Sequence, residues 1–301
     1  RQLRHAAKAQ RAPALGGTGV LRERFLASLP FALTAAQQRV VAEIETDLRR
    51  DHPMLRLVQG DVGSGKTVVA ALAALQAVEA GAQVAVMAPT ELLAEQHYRN
   101  FHAWLSPLGI EVAWLSGKIK GRAREAALTA LAEGHAPVAI GTHALFQEDV
   151  QFARLGLVIV DEQHRFGVHQ RLALRDKGKQ GAQHPHQLTM TATPIPRTLA
   201  MTIYADLDAS IIDELPPGRT PVQTVVIPDN RRPEIVERVR QACAQGRQAY
   251  WVCTLIEESE ALQCQAAADA AAQLIVALPE LRVGLVHGRM AGPQKDKVMG
   301  A

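Results

Sequence analysis

"MLRLVQGDVGSGKTVVAALAALQAVEAG", residues 54–81, decides how the rest of the chain is read. It opens on a short apolar run and turns through Gly60, Gly63 and Gly65. It then continues with helical apolar spacing and stops at Gly81. Inside it, Gly60–Thr67 fits the pattern G-x-x-x-x-G-K-[ST]. That pattern carries information when it follows a strand and opens a helix, and here it does both. The glycines permit a tight turn, so Gly60, Asp61, Val62, Gly63, Ser64 and Gly65 can aim backbone amides at an anion. The helix start adds positive potential. Lys66 supplies a mobile cation and Thr67 a hydroxyl. The spacing predicts a phosphate-binding loop.

Outward from this stretch the pattern alternates. "QVAVMAP", "EVAWLSG", "PVAIGTH", "LGLVIVD" and "QLTMTAT" read as strands, and "ELLAEQHYRNFHAWL" reads as a helix. Upstream, "LTAAQQRVVAEIETDLRR" reads as a helix capped by Thr34, with Val40, Val41 and Ile44 on one face. Strands alternating with helices predict an α/β fold, a parallel sheet covered on both sides. Residues 1–29 are basic and broken by "GGTG", and read as an incoming helix and linker. Residues 30–213 read as the first domain. The prolines of "DELPPGRTPVQT" mark a linker over 214–223. Residues 224–301 begin a second alternating unit, with strands expected at "TVVIP", "QAYWVCTLI" and "RVGLVHG" and helices from about Pro233 to Gln245 and in an alanine-rich segment. About eighty residues are short for a doubly wound domain, so this unit reads as truncated. The chain starts at Arg1 and reads as part of a longer protein.

"LGLVIVDEQH" places two acids at the end of a greasy strand. In phosphate-loop proteins a second strand delivers an acid to a metal ion. Asp161 is the candidate for Mg²⁺, together with the Thr67 hydroxyl, and Glu162 is the candidate to orient or deprotonate water. Lys66 would reach the β- and γ-phosphates of ATP. The adjacent second acid favours hydrolysis over phosphate transfer to another substrate. Gln163 and His164 fall just outside that chemistry, where they can report the nucleotide state to the next segment.

Composition sets the remaining bounds. Net charge is +3 and aromatics make up only 4%, so aliphatic residues and alanine must build the core. The basic cluster "KIKGRAR" suits a phosphate backbone. No apolar run reaches membrane-spanning length. Cys243, Cys253 and Cys264 lack metal spacing and fit a reducing cytoplasm. "HPHQ" at 184–187 reads as a loop.

"GDVGSGKT", "APTELLAEQH", "GTHALFQE", "DEQHRFGVHQR" and "MTATPIPRTLA" occur in the order found in superfamily-two DNA helicases, and the set resembles the bacterial branch-migration helicases among them. The resemblance runs from about Leu29 to the end. It implies a RecA-like first domain, a truncated second RecA-like domain, ATP and Mg²⁺ as cofactors, and branched double-stranded DNA (forks and Holliday junctions) as partner. It also implies a monomer in the bacterial cytoplasm at the nucleoid. By the same resemblance, Gln37 reads adenine, and Thr191 and Thr193 couple nucleotide state to DNA grip. Pro89, Thr90, Glu91, Gly141, Thr142, His143, His287, Gly288 and Arg289 contact DNA. The transcription–repair coupling translocases share "TATPIPRTL" and stand as the alternative. The family's arginine finger and wedge domain are not matched here, so this stretch alone is expected to be deficient in hydrolysis, leaving a non-hydrolysing nucleotide-binding clamp as its other reading.

Overall fold

A computed structural model describes residues 10–162, 183–193, 207–214, 222–253, 260–287, 290 and 292–299. The chain divides into two compact units, Arg1–Arg219 and Thr220–Ala301.

The first unit is a seven-stranded sheet in which every paired neighbour is parallel. Its strands are β1 (Leu55–Gly60), β2 (Gln83–Met87), β3 (Val112–Leu115), β4 (Val138–Gly141), β5 (Leu155–Asp161), β6 (His186–Thr191) and β7 (Asp208–Ile212). The order across the sheet is β3-β4-β2-β5-β6-β1-β7. Its helices are α1 (Val20–Ser28), α2 (Ala35–Leu48), α3 (Lys66–Glu79), α4 (Glu91–Leu105) and α5 (Arg122–Ala132).

The strand sequences explain why both faces are covered. Successive side chains on a strand point to opposite faces. In β2, Val84 and Val86 join one apolar cluster, while Ala85 and Met87 join the other. In β5, Leu157 and Ile159 face the first cluster, and Val158 and Val160 the second. Core residues of α1–α4 build the first cluster, and Leu131 of α5 belongs to the second. The five strands "MLRLVQ", "QVAVMAP", "EVAWLSG", "PVAIGTH" and "LGLVIVD", together with "QLTMTAT", form where the sequence places them. Strand β7 and helix α5 escape the sequence reading. β7 is an edge strand with a mostly exposed "DAS" start, and α5 has only Leu131 fully buried, so neither shows a clear apolar period.

The segment expected as an incoming helix and linker carries α1 and is packed into this unit over residues 10–28. Leu15 and Phe25 are fully buried. The Leu15 carbonyl accepts from Gln76 Nε2 at 2.7 Å, and Leu15 N–H donates to the Leu48 carbonyl at 2.7 Å. Gly19 at the start of α1 offers no side-chain cap. Instead the Glu79 carboxylate, from the end of α3, accepts from the amides of Gly19 and Leu21. This meets the need of orphan amides at a helix start with a negative group.

Two buried polar groups lock the sheet's amino edge. Arg56 on β1 donates to Asp47 on α2 at 2.6 Å and to Ser210 on β7 at 2.6 Å. His186 at the start of β6 is fully buried. Its Nδ1 accepts from Met54 N–H at 3.0 Å, which fixes the proton on Nε2, and Nε2 donates to the Pro13 carbonyl at 2.8 Å.

The second unit holds α6 (Arg232–Ala244), α7 (Glu260–Ala277) and α8 (Gly292–Met299). Arg240 on α6 donates to Glu280 at 2.7 Å and to the Ala277 carbonyl at 2.8 Å. The Arg232 guanidinium lies 5.1 Å from the Trp251 ring centre. The described parts of the segments expected as strands, 224–228, 248–256 and 282–288, pair with no strand among the described residues. A strand is defined by its ladder partner, and Val226, Tyr250 and Val252 are exposed instead. Among the described residues no helix is long and apolar enough to cross a membrane.

Burial lowers the His186 pKa below its ordinary value of 6.5, so the folded state binds fewer protons than the unfolded chain under acid. Its contribution to stability is complete above pH 6.5 and falls as pH drops below it. Denaturant titrations at pH 7.5 and 5.5 will show lower stability at 5.5. His186→Phe will cost about 1–3 kcal/mol at pH 7.5, because Met54 N–H and the Pro13 carbonyl lose their partner, and will shrink the acid-side fall. An equal fall in both proteins rejects this account.

Candidate nucleotide site at the carboxyl edge of the sheet

All strands of the sheet are parallel, so their carboxyl ends lie along one edge. From strand order, that edge presents in sequence the loop after β3, Gly141–His143, Pro89–Glu91, Asp161–Glu162, Thr191–Thr193, the glycine loop and the residues after β7. Three segments that are far apart in the chain therefore become neighbours at β5-β6-β1.

The glycine loop leaves β1 at Gly60 and enters α3 at Lys66. Gly65 is the N-cap, with φ +86 and no side-chain cap. The helix amides are therefore not covered by a side chain of their own segment, and the helix dipole favours an anion there. Among the described residues Ser64 Oγ is buried without a hydrogen-bond partner. Lys66 Nζ folds back on the loop and donates to the Gly60 carbonyl at 2.6 Å and the Asp61 carbonyl at 3.0 Å. Burial lowers the Lys66 pKa, opposed by the charges of Asp161, Glu162 and Asp61. Thr67 follows in the first turn of α3, half-buried, and Val62 is exposed at the loop's tip.

Gln37 is buried and braces this loop. Thr34 and Gln37 form a reciprocal cap at the start of α2, with Gln37 Oε1 accepting from Thr34 N–H at 2.9 Å. Its Nε2 donates to the Ser64 carbonyl at 2.8 Å. A Cβ on Gly65 would sit 2.2 Å from that Nε2, so a side chain there would displace the Gln37 brace, and the positive φ itself favours glycine. The same helix start is held from the other side. Ala36 N–H donates to Glu214 at 3.0 Å, and Arg39 donates to Asp213 at 2.8 Å.

Glu162 has φ +49, and it is the one non-glycine residue of positive φ among those described. Such a conformation costs an L-residue energy and collects at functional sites. The surroundings hold it there. Its amide donates to the Met190 carbonyl at 2.9 Å. Oε2 accepts from Thr191 Oγ1 at 3.0 Å, and Oε1 accepts from Ala192 N–H at 2.8 Å. Thr191 Oγ1 in turn accepts from Thr193 N–H at 3.1 Å. The structure thus joins the second acid to the threonine segment.

Asp161 points to the face that carries Leu157 and Ile159, which α4 covers. There His97 Nε2 lies 2.8 Å from Asp161 Oδ2, both side chains nearly buried. Sequence reading missed His97. The signal was available: Ala94, His97, Phe101 and Leu105 form the buried stripe of α4, with one polar residue among apolar ones.

The residues expected to contact DNA are placed as follows. Pro89 is half-buried. Thr90 caps α4, its Oγ1 accepting from Leu93 N–H at 3.3 Å, and Glu91 pairs with Lys118 of the loop after β3. Gly141 and Thr142 are buried, and His143 is exposed. A Cβ at Gly141 would lie 1.8 Å from the Leu115 carbonyl, so only glycine fits. His287 is half-buried in the second unit. Gln163, His164, Gly288 and Arg289 lie outside the described residues. Arg124 of the basic cluster pairs with Asp149 and Gln147. No group of three or more potential metal ligands occurs among the described residues.

A family model described as DEAD/DEAH box helicase matches residues 34–202. The chain is 66% identical over 298 residues to "ATP-dependent DNA helicase RecG" of Escherichia coli O127:H6 (strain E2348/69 / EPEC), covering 99% of this chain and 43% of that protein. It is 65% identical over 280 residues to the protein of the same name from Haemophilus influenzae, covering 93% of this chain and 40% of that protein. A solved structure, "Structure of RecG bound to three-way DNA junction", superposes with a TM-score of 0.79 at 43% identity, covering 99% of this chain and 38% of that one. The chain therefore spans less than half the length of these relatives.

The positive φ at Glu162 makes a stability prediction. At an ordinary surface position glycine is less stable than alanine by about 0.5–1 kcal/mol. Here Glu162→Gly will be more stable than Glu162→Ala by about 1 kcal/mol, because only glycine adopts this conformation freely. Urea titration of the two variants measures the order, and alanine ahead of glycine contradicts the strain.

Proposed function

The chain belongs to the DEAD/DEAH box helicase family, and from that premise we propose that it carries the ATP-driven motor of a DNA helicase that remodels branched DNA. The observation that carries this reading is the meeting of the glycine loop, Asp161–Glu162 and Thr191 at adjacent strand ends. The relatives' printed names and the junction-bound structure support the choice of substrate.

The residues fit magnesium–ATP. The uncapped start of α3, the loop amides and the orphaned Ser64 Oγ form a polar cradle. Lys66 leaves its two loop carbonyls to neutralise phosphate oxygens. Thr67 and Asp161 would hold Mg²⁺, which would supply charge neutralisation on the phosphates. Glu162 orients the attacking water and accepts its proton. The bonds from Thr191 Oγ1 and Ala192 N–H to its two oxygens orient the carboxylate for that role. The hold of Thr191 on Glu162 gives the threonine segment direct access to the base. Gln37 acts first as a brace of the loop, and its reading of adenine remains part of the proposal.

In this reading residues 30–213 form the ATP-binding lobe, 214–223 a linker and 224–301 part of a second lobe. The bonds from Glu214 and Asp213 to the start of α2 support a linker anchored beside the nucleotide loop. Pro89–Glu91 and Gly141–His143 would track the DNA backbone, and His287, Gly288 and Arg289 would add contacts from the second lobe. We place the protein in the bacterial cytoplasm at the nucleoid, working as a monomer.

The deciding experiment is Mg²⁺-dependent phosphate release by the full-length protein with a four-way junction, linear duplex or RNA. Strong stimulation by the junction is expected. Equal stimulation by duplex favours a transcription-coupled translocase, and stimulation by RNA alone rejects the substrate class. Lys66→Ala will weaken ATP binding about tenfold or more through loss of charge-assisted hydrogen bonds. Glu162→Gln will keep ATP binding and lower turnover by about a hundredfold or more. Unchanged affinity in the first or normal turnover in the second removes that residue from its role.

A further inference from the structure

His97 sits where an apolar residue would serve stability better. It lies on the buried stripe of α4 between Ala94 and Phe101 and is 7% exposed. Burying an imidazole costs free energy unless its polar atoms find partners. Among the described residues only Nε2 does so, 2.8 Å from Asp161 Oδ2, while Nδ1 is buried without a hydrogen-bond partner. Its one hydrogen bond among the described residues is the polar interaction that offsets this cost. The contact falls on the carboxylate that the proposed function gives to magnesium.

The geometry leaves little freedom. Asp161 is the last residue of β5, and its side chain turns to the face that α4 covers. The bond from His97 to Oδ2 fixes the carboxylate's rotamer and leaves it acceptor capacity for a metal ion. Metal-binding carboxylates are commonly steadied by an outer hydrogen bond that fixes their rotamer, and loss of such a partner typically weakens metal affinity about 10–100-fold. The helix that provides His97 also begins at Thr90 and Glu91. About 9 Å of rigid helix separates Glu91 from His97 at 1.5 Å per residue.

We propose that His97 is a positioning residue for the magnesium site. It fixes Asp161 through Oδ2, and it does so from the helix whose first turn is the candidate DNA contact. This rests on the nucleotide-site reading given under the proposed function. The residue does not touch the nucleotide and takes no proton from it.

The test uses the full-length protein and a fluorescent ATP analogue, titrated with MgCl₂. Three proteins carry it: His97→Phe keeps the packed volume, His97→Gln keeps a donor near the place of Nε2, and Lys66→Ala reports on the nucleotide site itself. Thermal unfolding confirms that each is folded. In His97→Phe, analogue affinity in EDTA will match the wild type, and the Mg²⁺ concentration for half-maximal tightening will rise about tenfold or more. His97→Gln will recover most of that shift, which a merely structural role would not produce. If Lys66→Ala loses the analogue while both folded His97 variants keep the wild-type Mg²⁺ midpoint, the proposal is overturned and the nucleotide site stands. If Lys66→Ala binds the analogue normally, the nucleotide-site reading fails first. If His97→Phe does not fold, the midpoint of His97→Gln against that of Asp161→Asn decides. A His97→Gln midpoint shifted as far as that of Asp161→Asn also overturns it, since the retained donor would then have done nothing.

Discussion

Parallel strands all end at the same edge of a sheet, and this constraint organises the whole first unit. Each crossover returns the chain to the opposite edge, so loops that follow strands collect on one side. The order β3-β4-β2-β5-β6-β1-β7 then fixes which loops are neighbours. The glycine loop, the acids and the threonines stand at β1, β5 and β6 because those strands are adjacent, though more than a hundred residues separate Gly60 from Thr191. In open parallel sheets ligands settle in the crevice outside the carboxyl ends of the strands, and here the polar groups that match a nucleotide are found there.

With so few aromatic residues, the core relies on alanine, valine and leucine, and buried amides do much of the fastening. Gln76 holds the Leu15 carbonyl, Gln37 holds Ser64, and Gln83 donates to the carbonyls of Leu131 and Ala136. Each side chain meets backbone groups that would otherwise be buried without partners, which would cost more than the bond returns. Arg56 and His186 do the same at the amino edge. These braces join segments that differ widely in sequence position, so they set how loops sit on the sheet rather than which strands form.

Several departures from good local structure lie at the carboxyl edge of the sheet. Glu162 holds a backbone conformation that costs an L-residue energy, and among the described residues His97 Nδ1 and Ser64 Oγ are buried without a hydrogen-bond partner, as is Gln76 Oε1 near the other end of α3. Folded proteins keep such features where function over-determines the site. The packed surroundings tolerate them because β5 and β6 are central strands, hydrogen-bonded on both sides.

By itself the sequence determined the strands β1 to β6, the helices that begin at the caps of Thr34 and Gly65, and the glycine loop. Apolar period, capping residues and glycine spacing are local properties, written within ten or fifteen residues. It also named the two acids, because a buried strand ending in "DE" is unusual on its face. Only the tertiary structure decided that Thr191 holds Glu162, that His97 holds Asp161 and that Gln37 braces Ser64. Edge strand β7, with its half-exposed alternation, likewise needed β1 beside it to exist. The segments 224–228, 248–256 and 282–288 have strand-like composition but no ladder among the described residues. The reason is the same in each case. A side chain's type and period follow from its neighbours in the chain, whereas a hydrogen bond across the sheet depends on which strand ends are brought together.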